Sequence, residues 1–461
     1  MYRPPVVGSR KGLVAGLLIL VLAVAFEMYA VVTAMPKVVE DLGRVDLYAW
    51  AFTMFMTAQV FSVVLAGRIC DRVGPAGPLA TGLALFVVGL LLAGASSSMP
   101  MLLGARFLQG LGGGAINLTL MVVMAEAFTA KERPAMMTAF SFCWVLPSFI
   151  GPPVAASVAE QFGWHWVFWA VIPVVVVAVL VGTPPLLELS RRHPARQGNP
   201  NPVPLWAAAV ASLAVLAIQF GGQLFGERDS RMAAAGLMAL GLVMLGVSVG
   251  PLMPAGFWRM ARGLPAVMAS RGFQSGAFLA AESFIPLMLI EQYKLTLTEA
   301  GLALTIGSVG WTIGSMVQAA PWLRIRRDQV VIAGTTSTAV GVGILAWGAG
   351  IPTLPLWLAV LGWTIAGLGM GLANASTTLV NIKLSAPEQI GRNTSSLQVG
   401  EGLGNSLTAA LAGMVFASLH PRVAPSLVFG SMYLMITAVA VAAVVLSLRI
   451  GPVRNDSSGT G

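Results

Sequence analysis

The chain has 461 residues, of which 57% are apolar and only 10% charged, against about 25% charged in an ordinary soluble domain. So little polar surface cannot coat water-soluble cores, so the main solvent is lipid. Two cysteines exclude a disulfide scaffold, and three histidines without Cys/His clusters exclude a resident zinc site. The net charge of +9 comes from basic residues lying singly or in pairs between apolar runs, not along one nucleic-acid-binding face.

A hydrocarbon core of ~30 Å takes about 20 apolar residues per helix, because lipid offers the backbone no hydrogen-bond partner. About fourteen such runs follow in chain order, near 13–35, 47–66, 79–95, 101–124, 135–158, 166–186, 205–224, 232–252, 267–289, 302–322, 330–348, 356–380, 395–417 and 427–448. The first has no small-residue cleavage pattern and reads as a retained helix. With both termini in the cytoplasm, most of the 27 basic residues, Arg271 among them, face inward. Only Lys37, Arg44, Arg228, Arg231, Lys294 and Arg422 then lie outside, as the positive-inside rule requires of an even number of spans. Trp164, Trp166 and Trp169 cluster where the indoles of an interfacial belt would sit.

The short basic loop at 67–77 after span two has a counterpart at 323–329 after span ten, and each precedes a second charged loop, at 129–134 and 386–392, by about sixty residues. The register repeats only when spans seven and eight are set apart. The expected fold is an all-α integral membrane protein of two pseudo-symmetric six-helix bundles plus two inserted helices. Its parts are an N-terminal bundle (1–187), a cytoplasmic linker (188–203), the inserted pair (204–254), a C-terminal bundle (255–450) and a flexible cytoplasmic tail (451–461). Repeated helical halves are how secondary transporters build a midplane site open alternately to either side. No catalytic dyad or metal spacing points to an enzyme.

Four motifs then resemble stretches of the major facilitator superfamily. GRICDRVG at 67–74 resembles its signature loop, with Gly67, Asp71, Arg72 and Gly74 in place; Pro75, Ala76 and Gly77 follow where the family has basic residues. A glycine permits close helix approach, and an aspartate beside an arginine in a tight turn can form a charge pair that breaks as the halves rock. In span four, RFLQGLGGGA resembles the membrane-embedded arginine motif, with Arg106, Gln109 and Gly110 matching. An arginine in the membrane costs at least ~2.5 kcal/mol unless paired or hydrated, so it should face the cavity between the halves. PSFIGPP in span five is similar to the proline-glycine motif of antiporter branches, with Gly151 and Pro152 as the helix kink. GWHWVFWAVIP resembles the opening of span six in the drug:proton antiporters, with His165 where arginine is usual; it reads as an interfacial histidine. Together with the inserted pair, these motifs resemble the fourteen-span drug:proton antiporter branch.

Three acidic residues lie well inside spans: Glu27, Glu282 and Glu401. An isolated carboxylate in low dielectric binds a proton or finds a cation, and either behaviour suits coupling. Glu27 stands where the fourteen-span family has an aspartate in span one, at a depth similar to that of Arg106, so the two are expected to approach each other. Gln398, Glu401 and Asn405 recur at three- and four-residue spacing on one helix face. Arg106, Gln109, Asn117, Gln398 and Asn405 are therefore the candidate cavity residues. The expected function is proton-coupled export of hydrophobic or amphiphilic compounds, multidrug efflux by alternating access. The proton is the coupling ion, no other cofactor is needed, and the partners are a small amphiphilic substrate and membrane lipid around a monomer in the cell membrane. An exporter of a lipid, siderophore or metabolite fits the same residues, as does a non-transporting membrane sensor.

Overall fold

A segment buried in lipid must satisfy its backbone internally, and each apolar run does so as a helix. A computed structural model describes residues 7–129, 132–192, 203–224, 230–320, 325–351, 353–386, 389–420 and 422–453. The helices are α1 (Val7–Leu42), α2 (Tyr48–Val73), α3 (Ala76–Gly94), α4 (Met99–Ala127), α5 (Arg133–Gln161), α6 (His165–Trp169), α7 (Val171–Arg192), α8 (Leu205–Leu224), α9 (Arg231–Leu252), α10 (Leu264–Tyr293), α11 (Leu297–Ala319), α12 (Arg327–Gly350), α13 (Leu356–Leu384), α14 (Ile390–Leu419) and α15 (Pro425–Ser447). Among the described residues there is no strand. With α6 running on into α7 as one span, 14 helices are long and apolar enough to cross a membrane. Most of the expected linker, 193–202, and most of the tail, 454–461, lie outside the described residues, as do parts of the charged loops at 129–134, 323–329 and 386–392.

The chain divides into two compact units. The first holds α1, α3 to α7 and α2 from Ala58 onward; the second holds α8 to α15 and the stretch Arg44–Thr57, which includes the start of α2.

In the first unit α1 packs on α5 and α7, and α3 packs on α4. Helices in lipid associate by close packing, since burying apolar surface gives little advantage there, and small residues set the distance. A β-carbon on Gly16 of α1 would lie 2.5 Å from the Cα of Gly182 on α7. One on Gly112 of α4 would lie 2.5 Å from the carbonyl of Gly82 on α3.

In the second unit α13 packs on α11 and α12, α15 on α12 and α10, and α10 on α14. The glycines at the α10–α14 crossing recur at four-residue spacing, Gly272 and Gly276 against Gly400 and Gly404, and backbone meets backbone there. The inserted pair belongs to this unit. α9 packs on α8, with Gly221 facing the Ala234 carbonyl and Gly241 facing that of Ala214, each 2.8 Å from where a β-carbon would stand. α8 in turn lies on α14, where Gly222 meets Met414, and on the start of α2, where the Ser212 hydroxyl donates to the Thr57 carbonyl at 3.1 Å.

α11 begins with a capping box. Thr296 Oγ1 accepts from the Glu299 N–H at 3.2 Å, and the Glu299 carboxylate accepts from the Thr296 N–H at 2.8 Å. Replacing Thr296 by Ala should cost about 1 kcal/mol, read as a lower unfolding midpoint of the detergent-purified protein with unchanged helical content.

Two placements differ from the sequence reading. Trp164 is no interfacial anchor: it is 1% exposed and its ring lies tilted against that of His165, whose Nδ1 lies 2.9 Å from the Gly94 carbonyl. Only Trp166 of that cluster is largely exposed. Arg271, expected among the inward-facing charges, lies within α10 and is 6% exposed.

Candidate functional site

In the first unit α1 and α4 bring Glu27 and Arg106 together, 0% and 3% exposed. Arg106 Nη1 donates to Glu27 Oε1 and, at 2.5 Å, to Gln109 Oε1 one turn further along α4. With little water at this depth, the two opposite charges satisfy each other. Glu27 Oε2 and Gln109 Nε2 make no hydrogen bond and are enclosed. Gly89 of α3 leaves the space Gln109 fills, since a β-carbon there would stand 2.5 Å from the glutamine Cγ. Asn117 is half-buried on the same helix, but eleven residues at 1.5 Å each put it about 16 Å from Arg106. It does not join the cluster.

At the far end of α2 the signature motif differs from its expected geometry. Asp71 and Arg72 are consecutive on the last turn of α2, not in a turn, and successive helical residues do not face each other. Arg72 is exposed and Asp71 half-buried. Gly67 brings α2 against Leu118 of α4, 3.2 Å from where a β-carbon would be. Gly74, at φ +82°, ends the helix in the left-handed region, its N–H donating to the Cys70 carbonyl at 3.0 Å. On α5, Gly151 and Pro152 are both buried, and Gly151 seats against Tyr29 and Phe26 of α1. Three prolines, Pro147, Pro152 and Pro153, each withhold an N–H from that helix.

The second unit holds a second ion pair. Arg271 Nη2 of α10 donates to both oxygens of Glu401 on α14, at 3.0 and 2.9 Å, while its Nη1 donates to the Asn374 carbonyl of α13 at 2.7 Å. The Ser275 hydroxyl, one turn along α10, donates to Glu401 Oε1 at 3.2 Å. Gln398 and Asn405 share the half-buried face of α14 with Glu401 but do not bond to it, and Asn405 Oδ1 has no partner.

Glu282 is different. It is 8% exposed on α10, and among the described residues its carboxyl has neither cation nor hydrogen-bond donor. On either side of it, two buried tyrosines satisfy backbone carbonyls: Tyr433 donates to Ala281 at 3.3 Å and Tyr48 to Ser283 at 2.6 Å. Sequence reasoning missed Arg271, Ser275 and both tyrosines. One signal was available: Arg271, Ser275, Phe278 and Glu282 recur at four-, three- and four-residue steps, which marks a single face of a helix.

A model of the Major Facilitator Superfamily matches residues 17–281 and again 272–460. The chain belongs to the major facilitator superfamily. Among relatives of this superfamily transporter, Multidrug transporter protein MdtP of Bacillus subtilis (strain 168) is 27% identical over 420 residues, covering 88% of this chain and 75% of that protein. Multidrug resistance protein 3 of the same organism is 25% identical, covering 79% of this chain and 71% of that protein. A crystal structure of a POT family transporter in complex with a thioalcohol conjugated peptide superposes with a TM-score of 0.70 at 12% identity, covering 94% of this chain and 96% of that one. That likeness is one of fold. The superfamily member described here is a multi-pass membrane transporter of small molecules, not an enzyme.

Proposed function

We propose that this transporter exports hydrophobic or amphiphilic compounds, as multidrug efflux, in exchange for protons, and that it sits in the cell membrane with both termini cytoplasmic. The candidate coupling groups are the carboxylates inside spans, Glu27, Glu282 and Glu401. The candidate cavity residues are Arg106, Gln109, Asn117, Gln398 and Asn405. The observation that carries this reading is Glu282, a carboxyl buried in a membrane helix with no cation or donor among the described residues to hold its charge. Such a group is stable there with a proton bound, and an ionised state must be compensated by something that comes and goes. The names of the multidrug relatives support export of drug-like compounds.

In the proposed cycle, protonation from outside favours release of substrate there, and loss of the proton to the cytoplasm favours reloading. Access alternates between the two sides of the membrane, with Gly67, Asp71, Arg72 and Gly74 as the conformational latch and Gly151 and Pro152 as the kink. The test is flux in proteoliposomes with an imposed pH gradient and a panel of cationic, neutral and anionic amphiphiles. Glu282→Gln should reduce gradient-driven flux to that of protein-free liposomes while substrate–substrate exchange without a gradient persists. Wild-type protein that binds amphiphiles but moves none, with or without a gradient, would instead be a sensor.

A further inference from the structure

The three glutamates differ in what surrounds them, and this divides their labour. We propose that Arg271 is a positioning residue: it holds Glu401 ionised and fixed to α10, so that proton exchange in the second unit falls to Glu282 alone. The inference rests on the proton-exchange reading above and adds to it a residue without an assigned role.

The geometry around Glu401 accounts for a full negative charge. Both of its oxygens accept from Arg271 Nη2, one also accepts from Ser275, and the guanidinium is turned into place by the Asn374 carbonyl. Hydrogen bonds to an ionised partner are roughly twice as strong as neutral ones. The anchor points are rigid. One residue beyond Arg271 and one before Glu401, Gly272 and Gly400 put α10 and α14 in backbone contact, with the Gly400 carbonyl 2.6 Å from where a β-carbon on Gly272 would lie. The backbones that carry the two side chains are therefore held at one distance.

Among the described residues of the elements packed around it, no other charge competes for Glu401. On α14 itself Arg392 is nine residues away and exposed; α13 offers only Lys383, nine residues beyond Asn374; α8 and α15 carry no charged residue. The Tyr433 hydroxyl of α15 is spent on the Ala281 carbonyl, and Asp46, ahead of α2, pairs with Arg44. At the end of α14, His420 pairs with Glu291. Glu282 lies eleven residues from Arg271 on the same face of α10, about 16 Å along the axis, so the guanidinium cannot serve both carboxyls. Of the other helices against α10, α11 carries Glu299, held in its capping box, and α12 carries Arg327, bonded to Gln318, and Asp328, bonded to Arg326. The short turn ahead of α10 adds Arg259, which is exposed.

The test reads protonation directly and needs no substrate, so its failure is separable from failure of the export reading, which the flux assay decides. A protonated carboxyl has an infrared C=O stretch that an ionised one lacks, and the purified protein in lipid nanodiscs can be titrated by following it. Glu282→Gln should remove one carboxyl's worth of that band. Arg271→Gln should add one, from Glu401 left without its cation, and the double variant Arg271→Gln with Glu401→Gln should remove the added band and return the wild-type titration. Arg271→Lys should keep the wild-type spectrum. Should Arg271→Gln alone fail to insert, the double variant, which leaves no unpaired charge, decides. A double variant that lacks a band present in the wild type, or an inserted Arg271→Gln that gains none, overturns the proposal.

Discussion

Replacing Arg106 by Gln is expected to destabilise the protein by about 3–5 kcal/mol, the usual penalty for removing one partner of a buried ion pair. Glu27 is 0% exposed, its remaining oxygen already has no donor, and among the described residues Arg106 is the cation it pairs with, so the loss leaves its charge uncompensated. The effect should appear as a markedly lower unfolding midpoint in detergent and poor accumulation in the membrane. Pairing the change with Glu27→Gln should recover most of the midpoint, because two neutral amides can bond to each other and to Gln109 where the ions did. It should not recover gradient-driven flux if the carboxyl is part of the exchange. A double variant as unstable as the single one would show that the loss lies in packing and not in the orphaned charge.

The second large effect is expected at the α10–α14 crossing. A β-carbon on Gly404 would run into the carbonyl carbon and oxygen of Gly272 and stand 2.7 Å from its Cα, and one on Gly276 would meet the Gly404 carbonyl and lie 2.5 Å from Thr408 Oγ1. Those obstacles are mainly backbone, which cannot rotate aside, so Gly404→Ala must push two helices apart. Overpacking of this kind costs about 1–3 kcal/mol or more. Here it also strains the Arg271–Glu401 pair one turn away. The comparison is Gly391→Ala near the start of the same helix, where no atom lies within 4 Å. That change should be neutral or slightly stabilising, since alanine is the better helix former. Size-exclusion profiles and unfolding midpoints of the two variants would separate the outcomes, and equal behaviour would sink the packing argument.

Much of this was legible in the sequence, for reasons of length and depth. Fourteen apolar runs became fourteen membrane-capable helices because lipid leaves the backbone no alternative. The meeting of Glu27 with Arg106 followed from their similar depth and from the cost of leaving either charge alone. The Arg271–Glu401 pair was not legible. Arg271 stands four residues inside the expected start of its span, and a basic residue there is indistinguishable in sequence from a topology-setting loop charge. Only the neighbouring relation of α10 and α14, which no local pattern encodes, reveals its partner. Trp164 was misplaced for a similar reason: hydropathy reports that an indole is near an interface but not whether it turns toward lipid or into the unit. Asp71 and Arg72 were expected in a loop because the apolar run ends near residue 66, whereas α2 runs on through Val73 and only Gly74 stops it.

The bare crossing of α10 and α14 also bears on how variation in this gene will read. Every single-base missense change in a glycine codon installs a side chain. At Gly272, Gly276 and Gly404 each one will therefore score as damaging in a mutational scan, whatever compound is used for selection. These positions will form a band of intolerance common to all substrates. Subtracting that band leaves the positions whose tolerance changes from one compound to the next, and those map recognition.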